Sequence, residues 1–269
     1  MSDTSARRFP QIGIIIPACD EAPAIAQVLE ELLREADPET FVISVGVNGS
    51  SDATAEIARR YPVLVAETAE RGYGFGCQAA IERLETVLPP VHAYVFFAAD
   101  GATDPRDVRS LLAAFDMGHD FVLAARTTSF ANWPVMKFSH VIANLLLGAW
   151  CGFLARRWFS DLAPLRLIER ELFRAIDPRE FTFGWTIEAQ IAAAKLGARI
   201  CEVKGRERPR LAGEQKVSGV TWRRTFFIGC RIFVAGFRTW RRFGSSTSRA
   251  TTTSETPIRG FVHYPQRGS

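Results

Sequence analysis

The sequence predicts an α/β fold, a mostly parallel sheet with helices on both faces, and three observations lead there. Short apolar runs alternate with amphipathic ones between residues 12 and 125. Polar, glycine-bearing segments follow the apolar runs in turn. The chain has 269 residues, 47% of them apolar and 23% charged, enough to bury a core without disulfides or a structural metal.

Residues 12–17 read as a buried strand, followed by a helix over about 23–35 in which Ile25, Val28, Leu29, Leu32 and Leu33 recur with helical spacing. A strand at 41–47, the turn Asn48-Gly49-Ser50 and a helix at 52–60 come next. A strand at 63–67 leads to a turn holding Gly72, Gly74 and Gly76 and then a helix to Val87. The strand at 93–99 ends at Asp100, a helix covers 105–117, and a strand at 121–125 closes the alternation.

Beyond Arg126 the pattern changes to a long aromatic and apolar segment at 133–159 and an irregular stretch at 161–166. Helices near 169–175 and at 185–196, a strand at 199–203 and a cation-rich loop at 206–219 follow. A helix over about 220–243 carries aromatic residues and arginines on different faces. Residues 244–269 are rich in Ser, Thr, Gly and Arg, have little to bury and are expected to be disordered.

Charge is unevenly divided. From Arg199 onward there are fifteen Lys/Arg against four Asp/Glu, a balance of +11, whereas the preceding residues carry −7. Such asymmetry points to phosphate, nucleic acid or an anionic membrane surface. No recognition-helix or zinc pattern accompanies the basic region, so nucleic acid is not expected as a partner. Cys19, Cys77, Cys151, Cys201 and Cys230 are scattered, without a C-x-x-C pair, which fits reduced thiols in the cytoplasm. No signal-peptide pattern opens the sequence, and the uncharged stretch 141–155 is shorter than the roughly 20 residues of a spanning helix.

In open sheets of this kind ligands bind beyond the carboxyl ends of the strands. That rule gathers Pro17 to Glu21, Asn48 to Asp52, Arg71 to Gly76 and Asp100 to Asp104 into one rim. The spacing Gly72-x-Gly74-x-Gly76 departs from the dinucleotide fingerprint G-x-G-x-x-G. It reads as a tight turn entering a helix, or as a place where backbone N–H groups approach a phosphate.

Taken together, Pro17-Ala18-Cys19-Asp20-Glu21, Asn48-Gly49-Ser50-Ser51-Asp52-Ala53-Thr54 and Asp100-Gly101-Ala102-Thr103-Asp104-Pro105 resemble the family 2 glycosyltransferases of GT-A fold. The branch most similar is that of the dolichol-phosphate and polyprenyl-phosphate sugar transferases, with patterns P-A-x-N-E, D-D-G-S-x-D-x-T and D-A-D-G. Asp161-Leu162-Ala163-Pro164-Leu165-Arg166, Phe183-Gly184-Trp185-Thr186-Ile187-Glu188 and the segment from Arg210 to Gly219, similar to R-x-x-G-x-S-K-x-S-G, extend the resemblance.

The resemblance implies a GT-A domain over 10–219, followed by a basic amphipathic helix at 220–243 that contacts a membrane from its cytoplasmic face. It implies inverting transfer of a sugar from a nucleoside diphosphate to polyprenyl phosphate, assisted by Mg2+ or Mn2+. Donor binding falls to Pro17, Ala18, Asp20, Glu21, Asn48, Gly49, Ser50, Arg71, Gly72, Asp100 and Gly101, with Asp100 holding the metal. Arg126, Lys137, His140, Arg210 and Lys216 become the cations for the acceptor phosphate. Asp104, directly before Pro105, reads instead as a helix cap. Glu188 is the candidate base if the acceptor is a hydroxyl, or else orients a cation.

The chain also departs from the pattern. Val47-Asn48 stands in place of D-D, Ala98 in place of the first aspartate of D-x-D, Asp20 in place of the asparagine and Gln215 in place of the serine before Lys216. Two of these changes fall at the donor site. A catalytically degenerate relative that binds a nucleotide sugar or a partner protein is therefore the alternative reading.

Overall fold

The computed structural model describes residues 11–136, 138–211 and 222–244. Five strands and four helices alternate first: β1 (Ile12–Ala18), α1 (Ala22–Glu35), β2 (Phe41–Asn48), α2 (Thr54–Ala58), β3 (Leu64–Thr68), α3 (Tyr73–Val87), β4 (Ala93–Phe96), α4 (Asp107–Asp116) and β5 (Phe121–Ala125). A 3-10 turn at Phe130–Asn132 leads into α5 (Trp133–Met136) and α6 (Phe138–Ala155). Then come β6 (Arg166–Glu169), α7 (Arg170–Ile176), α8 (Trp185–Lys195), β7 (Ile200–Lys204) and α9 (Trp222–Gly244).

The seven strands form one sheet in the order β3-β2-β1-β4-β6-β5-β7. Every pairing is parallel except those of β6, which runs antiparallel to both β4 and β5, with Arg166 opposite Phe96 and Leu123. The expected irregular stretch before Arg166 hides this strand. Four residues bounded by Arg166 and Glu169 carry too little alternation to announce themselves, and ladders on both sides supply the hydrogen bonds that fix them.

Strand alternation divides the core into two layers. Ile12, Ile14, Ile16 and Ala18 of β1 join Leu29 and Leu111 on one face, whereas Ile15 joins Cys77, Leu84, Phe159 and Ile191 on the other. Helix α2 is two residues shorter at each end than its sequence pattern, and Asp52, just ahead of it, accepts the Thr54 N–H at 3.0 Å. Gly76 brings α3 close to β2: a Cβ there would lie 2.6 Å from Asn48 Oδ1 and 2.9 Å from the Gly46 carbonyl. Gly74 packs in the same way on Phe181 and Trp185, so both glycines serve helix packing.

Helix α9 seats Ile228, Ala235 and Thr239 against the molecule, and Trp150 of α6 stacks on its Phe233 with ring centroids 4.6 Å apart. Among the described residues no single helix is long and apolar enough to cross a membrane. Phe130–Met136 and Val141–Ala155 pass that test only as a pair, bent by 113°.

Candidate active site

The carboxyl ends of β1, β2 and β4 lie side by side, with that of β3 beyond β2, and this brings the polar segments of the rim together. Asp20 adopts φ 51°, a left-handed conformation that a short polar side chain tolerates. Its N–H donates to Ser50 Oγ at 2.8 Å, and its Oδ1 accepts the Ser51 N–H at 2.6 Å. Arg71 donates from Nη2 to Asp20 Oδ2 at 3.1 Å and from Nε to the Gly49 carbonyl at 2.9 Å. Asp20, Gly49, Ser50 and Arg71 thus belt three rim segments together.

Beneath that belt, Asp52 Oδ2 accepts the Ala22 N–H at 2.9 Å, and Thr54 Oγ1 accepts the Glu21 N–H at 2.9 Å. These bonds fasten the starts of α1 and α2 to one another. Pro17 and Ala18 are buried at the end of β1. Asn48 is 3% exposed and donates from Nδ2 to the Gly72 carbonyl at 3.0 Å, bracing the start of α3. Val47, also buried, faces the core.

The second cluster forms around Asp100. Its Oδ1 accepts the Ala102 N–H at 3.0 Å, and its Oδ2 lies 3.0 Å from Arg210 Nη2. The same Arg210 nitrogen is 3.6 Å from Glu21 Oε1. Backbone contacts place this guanidinium: Leu211 N–H donates to the Asp100 carbonyl at 3.1 Å, Arg208 N–H to the Ala102 carbonyl at 2.8 Å, and Thr103 bridges Glu207. Gly101, at φ +75°, permits the approach, since a Cβ there would lie 2.4 Å from Leu211 Cδ1. Residues 207–211 therefore form a strap over the loop at 100–103 that follows β4, with Arg210 between the carboxylates of Asp100 and Glu21.

Arg126 lies in a third cluster. Its Nε and Nη2 grip Asp161 at 2.8 and 3.0 Å, a bidentate pair, and its Nη1 lies 3.4 Å from Glu207 Oε1. Burial alone would lower the Arg126 pKa, but Asp161 and Glu207 outweigh it and hold the guanidinium charged. Burial pushes the Glu207 carboxyl upward, against the pull of Arg126.

Residues 13–172 match the sequence profile described as Glycosyl transferase family 2. The chain belongs to that family. It is 30% identical over 211 residues to a dolichyl-phosphate hexose transferase of Haloferax volcanii, covering 78% of this chain and 87% of that one. It is 28% identical over 227 residues to an undecaprenyl-phosphate mannosyltransferase of Micrococcus luteus, covering 76% and 86%. Among solved structures, glucosyl-3-phosphoglycerate synthase from Mycobacterium tuberculosis, in complex with Mn2+, UDP and glucosyl-3-phosphoglycerate, superposes with TM-score 0.64. That match has 17% identity and covers 86% of this chain and 80% of the other, a likeness of GT-A fold.

In this family 2 glycosyltransferase the donor set for a divalent ion is poor. Among the described residues no group of three His, Cys, Asp or Glu side chains could hold a metal. Ala98 offers no carboxylate, and Asp100 already meets a backbone N–H and a guanidinium. A hard cation at a nucleotide takes one or two carboxylates beside phosphate and water oxygens, and the carboxylate at this position, Asp100, is already held by the positive charge of Arg210. As arranged, the described side chains do not fit Mg2+ or Mn2+.

Other expected residues take different places. Asp104 is not the helix cap expected of it: α4 begins at Asp107 with Arg106 at its N-cap position, and Asp104 instead accepts the Arg106 N–H at 3.0 Å and pairs with its guanidinium at 2.6 Å. The hydrogen bonds from Arg106 hold its carboxyl down at about 2. Glu188 is 2% exposed. Its Oε2 accepts the N–H groups of Arg179 and Glu180 at 2.9 and 2.8 Å, and its Oε1 lies 3.3 Å from Arg242 Nη1. That carboxylate joins α8 to α9 and presents no exposed lone pair to the rim, the reverse of what a base requires. Lys137 and Lys216 lie outside the described residues, as does the His140 side chain.

Asp161, Glu207 and Arg208 had no role in the sequence reading, yet they position the second and third clusters. Asp161 stood within a quoted motif, and Glu207 alternates with Arg206, Arg208 and Arg210. Those were the available signals.

Proposed function

We propose that this glycosyltransferase moves a sugar, with inversion, from a nucleoside diphosphate to a polyprenyl phosphate at the cytoplasmic face of a membrane. The observation that carries the proposal is the Asp100–Arg210–Glu21 cluster at the ends of β1 and β4, in a chain 30% identical to a dolichyl-phosphate hexose transferase. Arg210, assigned by resemblance to the acceptor phosphate, lies against Asp100 and Glu21 of the donor set, so the rim binds the donor with its diphosphate toward Arg210, in a setting where oriented donors stabilise developing negative charge. An ionised oxygen of the acceptor phosphate attacks the anomeric carbon from the opposite side. Its electron pair forms the new C–O bond while the pair of the old bond leaves with the nucleoside diphosphate. No proton has to move, so the engagement of Glu188 costs the reaction nothing.

The helical edge supports a lipid acceptor. Phe227, Phe233, Val234 and Phe237 of α9 and Leu146 and Phe153 of α6 are exposed, and Arg231, Arg238 and Arg241 are carried on α9. Such a surface suits the headgroup layer of an anionic membrane. In the test, the protein is mixed with vesicles containing undecaprenyl or dolichyl phosphate and radiolabelled UDP- or GDP-hexoses. Label entering the lipid fraction with inverted anomeric configuration is expected. Nucleotide binding with no transfer to either lipid would return the protein to the catalytically degenerate reading.

A further inference from the structure

The divalent ion expected by resemblance and the Arg210 guanidinium compete for one carboxylate, that of Asp100. We infer that Arg210 supplies, from within the chain, the positive charge that neutralises the departing diphosphate, so that nucleotide binding does not require a divalent metal. The inference rests on the donor proposed above and adds how that donor is held.

Three features converge. First, the place of the first D-x-D aspartate is taken by Ala98, whose methyl group cannot ligate a metal. Second, Arg210 Nη2 lies 3.0 Å from Asp100 Oδ2 and 3.6 Å from Glu21 Oε1, so two carboxylates hold the guanidinium at the carboxyl ends of neighbouring strands. Third, the strap is pinned by backbone bonds at Arg208 and Leu211, and the Arg208 side chain adds bonds to the Gly101 and Thr103 carbonyls at 3.2 and 2.9 Å. Arg208 also reaches Glu31 at 2.7 Å, tying the strap to α1.

A guanidinium fixed in this manner offers planar, directional donors to phosphate oxygens and stays charged throughout the working pH range. Asp100 then acts as a positioning residue, aiming the arginine rather than ligating an ion. Because the charge is already in place when the donor arrives, little reorganisation accompanies bond breaking.

Isothermal titration of the full chain with UDP and with GDP, in excess EDTA and in Mn2+, tests this. Wild type should bind one of the two nucleotides with affinities that differ by less than about threefold between EDTA and Mn2+. Arg210→Ala should weaken metal-free binding roughly 10- to 100-fold, the effect of losing a charge-assisted pair, and Arg210→Lys should recover part of it. Ala98→Asp combined with Arg210→Ala should create Mn2+ dependence, read independently as loss of the free Mn2+ paramagnetic signal. Thermal melts check that each variant folds, and the wild-type comparison of EDTA with Mn2+ stands without any variant. Wild-type binding that appears only with Mn2+ would overturn this inference and leave the proposed function standing. Failure to bind either nucleotide under every condition would overturn the donor assignment, and this inference with it.

Discussion

Helices α1 and α9 are both amphipathic, yet they dispose of their apolar residues in opposite ways. In α1, Ile25, Val28, Leu29 and Leu32 are each at most 1% exposed. Among the described side chains of α9 a narrow stripe including Ile228, Ala235 and Thr239 is buried, and Phe233, Val234, Phe237 and Trp240 are 38–48% exposed. Their charges differ too. Glu31 and Glu35 of α1 pair within the protein, with Arg208 and Arg109, whereas α9 carries Arg231 and Arg241 on its exposed surface. One apolar face belongs to the core in both helices; α9 has a second, continuous with α6 through the Trp150–Phe233 stack. A face of this kind is what the proposed membrane contact would use.

Leu29→Ala should cost about 3 kcal/mol in urea unfolding, because the cavity opens in close-packed core. Arg242→Ala should cost about 2 kcal/mol, since it leaves the buried Glu188 carboxylate without its cation; a loss equal to that of Leu29→Ala would make α9 as much a core helix as α1. Phe237→Ser with Trp240→Ser should change stability by less than about 1 kcal/mol yet reduce flotation with anionic vesicles roughly tenfold. Unaltered flotation would remove the membrane from the comparison. The smallest effect expected is that of salt. Raising ionic strength from about 0.1 to 1 M shortens screening from about 10 to 3 Å, which should weaken vesicle binding while leaving the urea midpoint of α1-dependent unfolding nearly constant.

Much of the first half was legible because burial leaves a period in the sequence. The strand at 121–125 is found where expected, and the helix at 23–35 is one residue longer at its start. Asp104, expected from its place before Pro105 to cap the helix, closes the turn ahead of it instead, because α4 starts only at Asp107. Strand β6 was not legible, since its stability comes from ladders to β4 and β5 rather than from its own pattern. Arg166 illustrates the difficulty: a lone arginine in the sequence, it is fully buried against Tyr73 and Phe96, with Nη2 3.1 Å from the Tyr73 hydroxyl. The rim residues were foreseen as a group, but their partners were not. Arg126, expected among the acceptor cations, grips Asp161; Glu188, expected as a base for a hydroxyl acceptor or as a residue orienting a cation, meets Arg242 and braces α9.

By itself the sequence determined the alternation of strands and helices, the rim at the carboxyl ends and the basic, aromatic character of α9. Each of these depends on neighbours within a few residues, where hydrophobic period and turn chemistry act directly. Which carboxylate meets which arginine was decided by tertiary structure alone. Crossovers bring Asp100, Arg210 and Glu21 together from distant parts of the chain, and Coulombic pairing follows separation in space rather than in sequence.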